Sequence, residues 1–471
     1  MSIGKSNRRS RSIFAVVALA VFMTNLDLWI VNVAFEDIRQ SFPGSSLAHV
    51  SWVLNAYAVT LGALLVVAGR AGDRYGHRRT FLLGTAVFTL ASLACALAPT
   101  LDVLIGARVV QAAGAAMQLP SSLALLVAGV PPEGRVRATR AWASVGGLAA
   151  AAGPVLGGLL VQASWRWVFL VNLPIGLVGL VAGRRTLPHA AAQPRTALPD
   201  PVAAVLVVVS VGSLVAGLLQ GPSWGWTSVG TLSLLFVAAL SAAVVVRRCL
   251  TQAVPLVEPA LVRARGFARA NAALFVFSIA FAIMLVSNAL WCQQIWGYGP
   301  LLTGLAMAPG PALVPLTTIA SRRLVERVGP GALATIGSLL FAAGLAWRAL
   351  AASPQPSYLV DMLPAMVVGG IGVGLALGTL MAAGTTSLPN ASAATGSALL
   401  NASRQVASGV GVAVLVTILT AWKPPAAVAA YQASWWVATG LGLAAAVGSA
   451  LLHASRRPAG EPAPVLAQAT S

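Results

Sequence analysis

The stretch GRAGDRYGHRR, residues 69–79, is a short polar segment between two long apolar ones. It holds five cationic side chains if His77 is counted, one carboxylate and three glycines. The flanking segments, VTLGALLVVA at 59–68 and TFLLGTAVFTLASLACALA at 80–98, carry no charge. Apolar runs of this length favour membrane-crossing helices, so the polar stretch is predicted to be a tight loop at a membrane surface.

The rest of the chain repeats this alternation. Of its 471 residues, 58% are hydrophobic and only 9% are charged, which excludes a soluble globular domain. About 20 apolar residues cross a hydrocarbon core, and fourteen such runs predict an all-α polytopic membrane protein. The predicted spans are 13–35, 49–69, 80–98, 101–128, 138–161, 165–184, 201–220, 228–246, 267–292, 301–320, 332–350, 357–387, 395–420 and 434–453.

The basic residues predict the orientation of these spans. The net charge is +19, but Lys and Arg are spread over short loops rather than gathered in one patch, so nucleic acid is not expected as a partner. Most of the 30 Lys and Arg residues lie in loops and tails on the same side of the membrane as the N-terminus. Because cytoplasmic loops carry an excess of these residues, both termini are predicted to be cytoplasmic. The first apolar run continues to Ala34, which predicts a spanning helix rather than a cleaved signal peptide.

Two six-helix halves are predicted, with two further helices between them. Polar, proline-containing links follow the sixth and eighth spans. They divide the chain into a bundle at 1–197, a helix pair at 198–250, and a second bundle with a short cytoplasmic tail at 251–471. The halves echo each other, because DRYG at 73–76 recurs as ERVG at 326–329. Many secondary transporters are built from paired halves around a central site.

Six motifs in chain order resemble those of one family. The loop at 69–79 resembles the motif between the second and third helices of the major facilitator superfamily. Five more stretches resemble signatures of its fourteen-helix drug:proton antiporter branch: LDLWIVNVAFEDI (26–38), IGARVVQAAGAA (105–116), GPVLGGLL (153–160), WRWVFLVNLPIG (165–176) and GSALLNASRQVASGVG (396–411). The resemblance implies a major facilitator fold and a monomer that exports a small molecule by alternating access. Its energy source would be the proton gradient, without a cofactor.

Asp27 and Arg108 are the predicted proton-coupling pair. Asp27 is the one carboxylate deep inside a predicted span, where a charge is costly to insert. It lies about 12 Å from the outer end of helix one, and Arg108 lies about 10 Å from the same face on helix four, so the two side chains are expected to meet. A static ion pair that only fixes packing is the alternative. The resemblance, which implies a proton-linked acid in helix one and an arginine in helix four, favours coupling.

Two further regions are predicted to control gating. In the 69–79 loop, glycines permit a tight turn, and Asp73 is expected to face a helix N-terminus of the other half or a nearby arginine, as a latch on the inner gate. The loop arginines have an alternative role as topology signals that contact lipid headgroups. In helix five, small residues allow close helix contact and a proline bends the helix. The candidates are Gly72, Asp73, Arg74, Gly76, Arg78, Gly153, Pro154, Gly157 and Gly158.

Polar and aromatic side chains within the spans are candidate substrate contacts. Buried amides often only bridge neighbouring helices, and Trp291 and Trp296 are also typical of an interfacial aromatic belt. The candidates are Asn25, Asn32, Asn55, Tyr57, Gln111, Gln118, Asn288, Trp291 and Gln294. Scattered histidines predict no metal site, and no catalytic residues are expected, so the protein is not predicted to be an enzyme.

The sequence as a whole predicts a proton-coupled exporter of hydrophobic or cationic drugs and antibiotics in a bacterial cytoplasmic membrane. Its expected partners are protons, the lipid bilayer and a small-molecule substrate. Asp27 is the only obvious deep counter-ion, which limits the case for dicationic substrates. An exporter of an endogenous metabolite, lipid or amino acid on the same fold is the main alternative, and a membrane sensor that transports nothing is a weaker one.

Overall fold

The computed structural model describes residues 2–131, 134–188, 200–389, 393–421 and 427–453, and these contain helices and no strand. Fourteen helices in this part of the chain are long and apolar enough to cross a membrane, which confirms the all-α polytopic prediction. The predicted domain boundary at 197/198 lies outside the described residues.

The first six spans are built from seven helices. They are α1 (Ser2–Ser41), α2 (Leu47–Tyr75), α3 (His77–Ala96), α4 (Leu101–Ala128), α5 (Arg135–Ala163), α6 (Trp167–Leu170) and α7 (Asn172–Thr186). Side chains begin several of them: the Ser46 hydroxyl accepts the His49 N–H at α2, and Thr100 accepts the Val103 N–H at α4. The sharp turn between α2 and α3 is made at Gly76, whose φ of +95° favours glycine.

The remaining spans follow the same design. The hairpin of α8 (Pro201–Trp224) and α9 (Val229–Thr251) precedes the short α10 (Pro259–Arg263). The last six spans are formed by α11 (Arg265–Leu290) with a π-helical turn at Trp291–Ile295, α12 (Pro300–Met307), α13 (Pro309–Val328), α14 (Pro330–Ala351), α15 (Tyr358–Asp361), α16 (Leu363–Thr386), α17 (Ala393–Ala421) and α18 (Ala427–His453).

The first span is longer than its apolar run. It was predicted to end at residue 35, but α1 continues to Ser41 because Glu36 accepts hydrogen bonds from Arg39 and Gln40 along the same helix face. Asp27 is therefore about 21 Å from the end of α1 at 1.5 Å per residue, while its depth of about 12 Å below the membrane surface stays a prediction.

Small residues hold each half together in the same way. In α3 and α4, a methyl group added to Gly114 would lie 2.6 Å from the backbone nitrogen of Phe88. In α14 and α16, one added to Gly372 would lie 2.5 Å from the backbone nitrogen of Phe341. Both phenylalanines follow a glycine four residues earlier, in GTAVF at 84–88 and GSLLF at 337–341. The two halves, α1–α7 and α11–α18, therefore share a close helix contact as well as a loop motif.

The hairpin of α8 and α9 packs against both halves through α8. The Thr417 hydroxyl of α17 donates to the Leu218 carbonyl of α8 at 2.7 Å. Asp200 caps α8 and accepts two hydrogen bonds from Arg248, at 2.5 and 3.0 Å. This guanidinium, together with the capped backbone N–H groups, lowers the pKa of the Asp200 carboxyl. Asp200 thus pins the base of the hairpin.

Candidate functional site

Asp27 is fully buried within the first half and is held by three side chains. Its Oδ2 atom accepts from Arg108 Nη1 at 2.5 Å. Its Oδ1 atom accepts from Gln111 Nε2 at 2.9 Å and from Asn172 Nδ2 at 3.1 Å. Exposure is 0% for Asp27 and 1% for Arg108. The structure thus brings the two predicted partners together, in a charge cluster built from α1, α4 and α7.

The Arg108 guanidinium donates hydrogen bonds through both Nη1 and Nε. It donates to the Gln111 amide oxygen at 2.6 Å and, through Nε, to the Val53 carbonyl at 3.0 Å. Its carbon lies 4.1 Å from the centre of the Tyr57 ring and 5.7 Å from that of Phe169, so two aromatic faces cover the charge. A buried cation with both hydrogen-bond acceptors and aromatic faces is held in one position.

Ser92 and Asn172 belong to this charge cluster but were not predicted as site residues. The Ser92 hydroxyl accepts from Gln111 at 2.8 Å and from Asn172 at 3.3 Å, and it is buried on α3. Asn172 lies in the quoted WRWVFLVNLPIG stretch, which was a sufficient signal to select it. Ser92 carries no such signal, because a serine in an apolar helix most often bonds its own backbone.

The glycines of α5 let this helix contact both halves. On the α1 side, a methyl group added to Gly157 would lie 3.1 Å from the Ile30 Cα atom. On the α12 side, one added to Gly158 would lie 2.5 Å from the Pro300 carbonyl oxygen. Pro154 presents its carbonyl against Gly304, and Gly153 packs against Trp29. The predicted GPVLGG motif is therefore a backbone contact between the halves.

We call the end of the bundle where α1 ends, opposite the described chain ends, the far end. A second contact between the halves lies there. Gln294 of the π-helical turn donates to Glu36 Oε2 at 2.8 Å, and Gln293 donates to the Val33 carbonyl at 2.8 Å. The Tyr431 hydroxyl holds the Gln294 amide oxygen at 2.8 Å. Side chains of both halves thus meet at the far end, and Glu36 was not predicted as a site residue.

An open recess of about 500 Å³ adjoins this contact. Both halves contribute to its lining, which is polar except for Leu47: Glu36, Arg39, Gln40, Leu47, Gln293 and Gln294. The π-helical turn provides two of these side chains, and such turns are frequent at functional sites because they redirect side chains without ending the helix.

The 69–79 stretch differs from its prediction, because α2 continues to Tyr75 and α3 begins at His77, which leaves Gly76 alone as the turn. Asp73 Oδ1 lies 3.0 Å from His77 Nε2, within the loop itself, where a helix N-terminus of the other half or an arginine was expected. The reason is local: α3 begins at His77, which brings this ring one turn from Asp73. Arg78 donates to the Arg184 carbonyl at 2.7 Å, Arg74 stacks on Tyr75, and a methyl group on Gly72 would overlap the His77 ring.

The candidate substrate contacts fall into distinct groups. The Asn25, Asn32 and Asn55 amides donate to groups of their own helices. Gln111 and Tyr57 surround the Asp27–Arg108 pair, and Gln118 accepts from Thr24. Asn288 is 1% exposed. Only Gln294 of this set lines the far-end recess.

Trp291 and Trp296 are not part of a lipid-facing belt. Their exposures are 0% and 6%, and both pack inside the second half, so the predicted interfacial position was wrong. Trp291 contacts Tyr431 and Trp435 with ring centres 5.4 and 5.1 Å apart. A tryptophan at the end of a span suggests a belt from sequence alone, and only the packing of α18 shows otherwise.

Known proteins resemble this chain over most of its length. The sequence profile described as Major Facilitator Superfamily matches residues 17–412. The chain is 35% identical over 406 residues to the methylenomycin A resistance protein of Streptomyces coelicolor, covering 86% of this chain and 84% of that protein. It is 34% identical over 418 residues to the multidrug resistance protein Stp of Mycobacterium tuberculosis, covering 88% and 77%.

A solved structure agrees in fold. The crystal structure of an auto-inhibited POT family peptide transporter superimposes with a TM-score of 0.67 at 15% identity, covering 97% of this chain and 99% of that one. Such a likeness concerns the arrangement of the helices alone. With the profile match and the relatives above, it leads to one conclusion: the chain belongs to the major facilitator superfamily.

Proposed function

We propose that the protein exports antibiotics or other drugs across a bacterial cytoplasmic membrane in exchange for protons. Two relatives are named for resistance to methylenomycin A and to multiple drugs, which supports export as the activity. The positive-inside distribution of Lys and Arg supports cytoplasmic termini. The far end of the bundle would then face outward.

The Asp27–Arg108 pair carries the proposal of proton coupling. A fully buried carboxylate that is paired with one guanidinium can remain in place only while its charge is matched. A proton on Asp27 neutralises the carboxylate, so Arg108 loses its counter-charge. Gln111 and Asn172 would then have to rearrange, and with them the helices that carry these side chains. Protonation would thus bias one conformation of the first half over another.

The contacts between the halves support alternating access as the mechanism. The far-end contact of Glu36 with Gln294 and the α5–α12 glycine contact join the two halves at the end that would face outward. Both would have to separate for a substrate to leave. The 69–79 loop lies at the opposite end and pairs Asp73 within itself here. In the opposite state Asp73 would be free to engage the second half.

The test is substrate-induced proton movement in everted membrane vesicles. Lipophilic cations and antibiotics are added one by one to vesicles with an imposed pH gradient. Some compounds should collapse the gradient with wild type and none with Asp27→Asn, because the amide cannot exchange a proton. Asp102→Asn, which changes an exposed carboxylate paired with His49, should behave as wild type.

Two outcomes would contradict the proposal. If Asp27→Asn still collapses the gradient, Asp27 does not carry the coupled proton. If no compound acts although wild type is present and folded, drug export is the wrong activity, and an exporter of an endogenous metabolite becomes the better hypothesis.

A further inference from the structure

Arg348 is a buried cation without a protein acceptor. It lies on α14 in the second half, near the far end, and is 1% exposed. None of its three guanidinium nitrogen atoms, Nε, Nη1 and Nη2, has a hydrogen-bond partner among the described residues. An unpaired charge at such a position is costly, so a buried arginine normally has a carboxylate or carbonyl group beside it.

Three tryptophan rings surround the Arg348 guanidinium. The distances from its carbon to the ring centres are 4.3 Å for Trp435, 5.0 Å for Trp291 and 5.3 Å for Trp296. Each ring face attracts the charge electrostatically. Ring faces do not replace hydrogen-bond acceptors for the five N–H groups in the guanidinium plane. The tryptophans therefore offset the charge but leave the donors unmet.

The polar groups beside Arg348 provide a further hydrogen-bond donor without a partner and no acceptor for the guanidinium. Trp291 Nε1 also lacks a partner among the described residues. The other two indoles are occupied, since Trp435 donates to Ser287 Oγ at 2.8 Å and Trp296 to the Ser353 carbonyl at 2.9 Å. A buried carboxylate on α15, Asp361, accepts from the Ser353 N–H at 3.1 Å and makes no hydrogen bond to Arg348.

We propose that Arg348 and its three tryptophans form a buried binding site for a singly charged anion. The unmet N–H groups of Arg348 and Trp291 would donate to it. The aromatic walls favour a weakly hydrated ion over a strongly hydrated divalent one such as sulfate. A free halide and the carboxylate of a larger molecule share this chemistry. The site does not depend on the proposed transport activity.

The test uses the purified full-length protein in detergent. Sodium bromide replaces sodium sulfate at constant ionic strength, while tryptophan fluorescence and the melting temperature are recorded. Bromide quenches exposed tryptophans linearly, whereas occupation of the site should add a saturable component and raise the melting temperature. A parallel titration with sodium benzoate, read by melting temperature, distinguishes the two sources. Saturation with bromide alone indicates a free small anion, and saturation with benzoate indicates the carboxylate of a larger molecule.

Three variants connect the response to the site. Arg348→Gln should abolish saturation, and Arg348→Lys, which keeps the charge but loses the planar set of donors, should weaken the apparent affinity at least tenfold. Arg166→Gln is the matched control, since Arg166 lies 4.4 Å from the Trp165 ring but is exposed. It should respond as wild type. Absence of saturation with both anions in wild type, or unchanged saturation in Arg348→Lys, would overturn the proposal.

Discussion

Among the described residues, each half of the molecule fully buries one arginine, and the two arginines have opposite surroundings. Arg108 and Arg348 are both 1% exposed, and both stack on aromatic rings. Arg108 has a carboxylate, an amide oxygen and a backbone carbonyl as acceptors. Arg348 has no acceptor among the described residues. Both arginines have aromatic rings around them, but only Arg108 has a hydrogen-bonded carboxylate.

This difference separates two uses of a buried cation. In the first half, the carboxylate partner can take up a proton, so the pair can change its charge within the membrane. In the second half, the cation has no such partner in contact with it and is available to an anion from outside the chain. The halves share helix contacts and loop motifs, but among the described residues only the first half pairs its buried arginine with a carboxylate that can take up a proton.

The largest expected effect comes from removing Arg108, and removal of Arg348 is its comparison. Arg108→Met leaves Asp27 buried without a counter-charge and should lower the free energy of unfolding by about 3–5 kcal/mol. Arg348→Met removes a cation that has no acceptor, and its loss in halide-free buffer should be much smaller. Unfolding in mixed micelles measures both.

A double variant sharpens this test. Asp27→Asn combined with Arg108→Met should recover part of the loss, because no unmatched charge remains. Equal losses for the two arginines would contradict the difference between the halves, and so would a double variant no more stable than Arg108→Met.

An intermediate effect is expected for the amides. Asn172→Leu removes a donor to Asp27 and one to Ser92, and a buried acceptor that loses its donor costs about 1–3 kcal/mol. The counterpart in the second half is Asn288→Leu, whose amide oxygen has no partner among the described residues. Its effect should be below about 1 kcal/mol. The same unfolding measurement applies, and a larger loss for Asn288→Leu would reverse the comparison.

The smallest effect is expected at the second arginine–aspartate pair, Asp200 with Arg248, at the edge of the hairpin. Because the pKa of Asp200 is lowered in the folded protein, its contribution is present above its ordinary value near 3.8 and is lost as the pH falls through the lower folded value. Asp200→Asn keeps the helix cap, so the loss at pH 7 should be below about 1 kcal/mol.

Stability measured between pH 7 and pH 3 checks this expectation. The difference between wild type and Asp200→Asn should shrink at the acidic end. A difference that grows as the pH falls would mean that the carboxyl is stabilised in its protonated form instead.

Much of the architecture follows from local sequence. The fourteen spans, the turn at Gly76 and the contact of Asp27 with Arg108 could be expected because span length, loop charge and a lone deep carboxylate are properties of short segments. The end of α1 could not be predicted from the apolar run, because Glu36 and its neighbours extend the helix beyond it. Asp73 likewise contacts His77 of the same stretch, whereas a helix N-terminus of the other half or an arginine was expected.

By itself, the sequence determined that this is a membrane-spanning helical protein of two related halves, and which acid and which arginine lie deep within it. Only the tertiary structure decided which polar groups are in contact with one another. Ser92 and Asn172 reach Asp27, Glu36 reaches Gln294, and Trp291 faces Arg348 because helices distant in sequence are packed side by side. Periodicity and charge describe each helix separately, whereas the partner of a buried group depends on how the helices are rotated against one another.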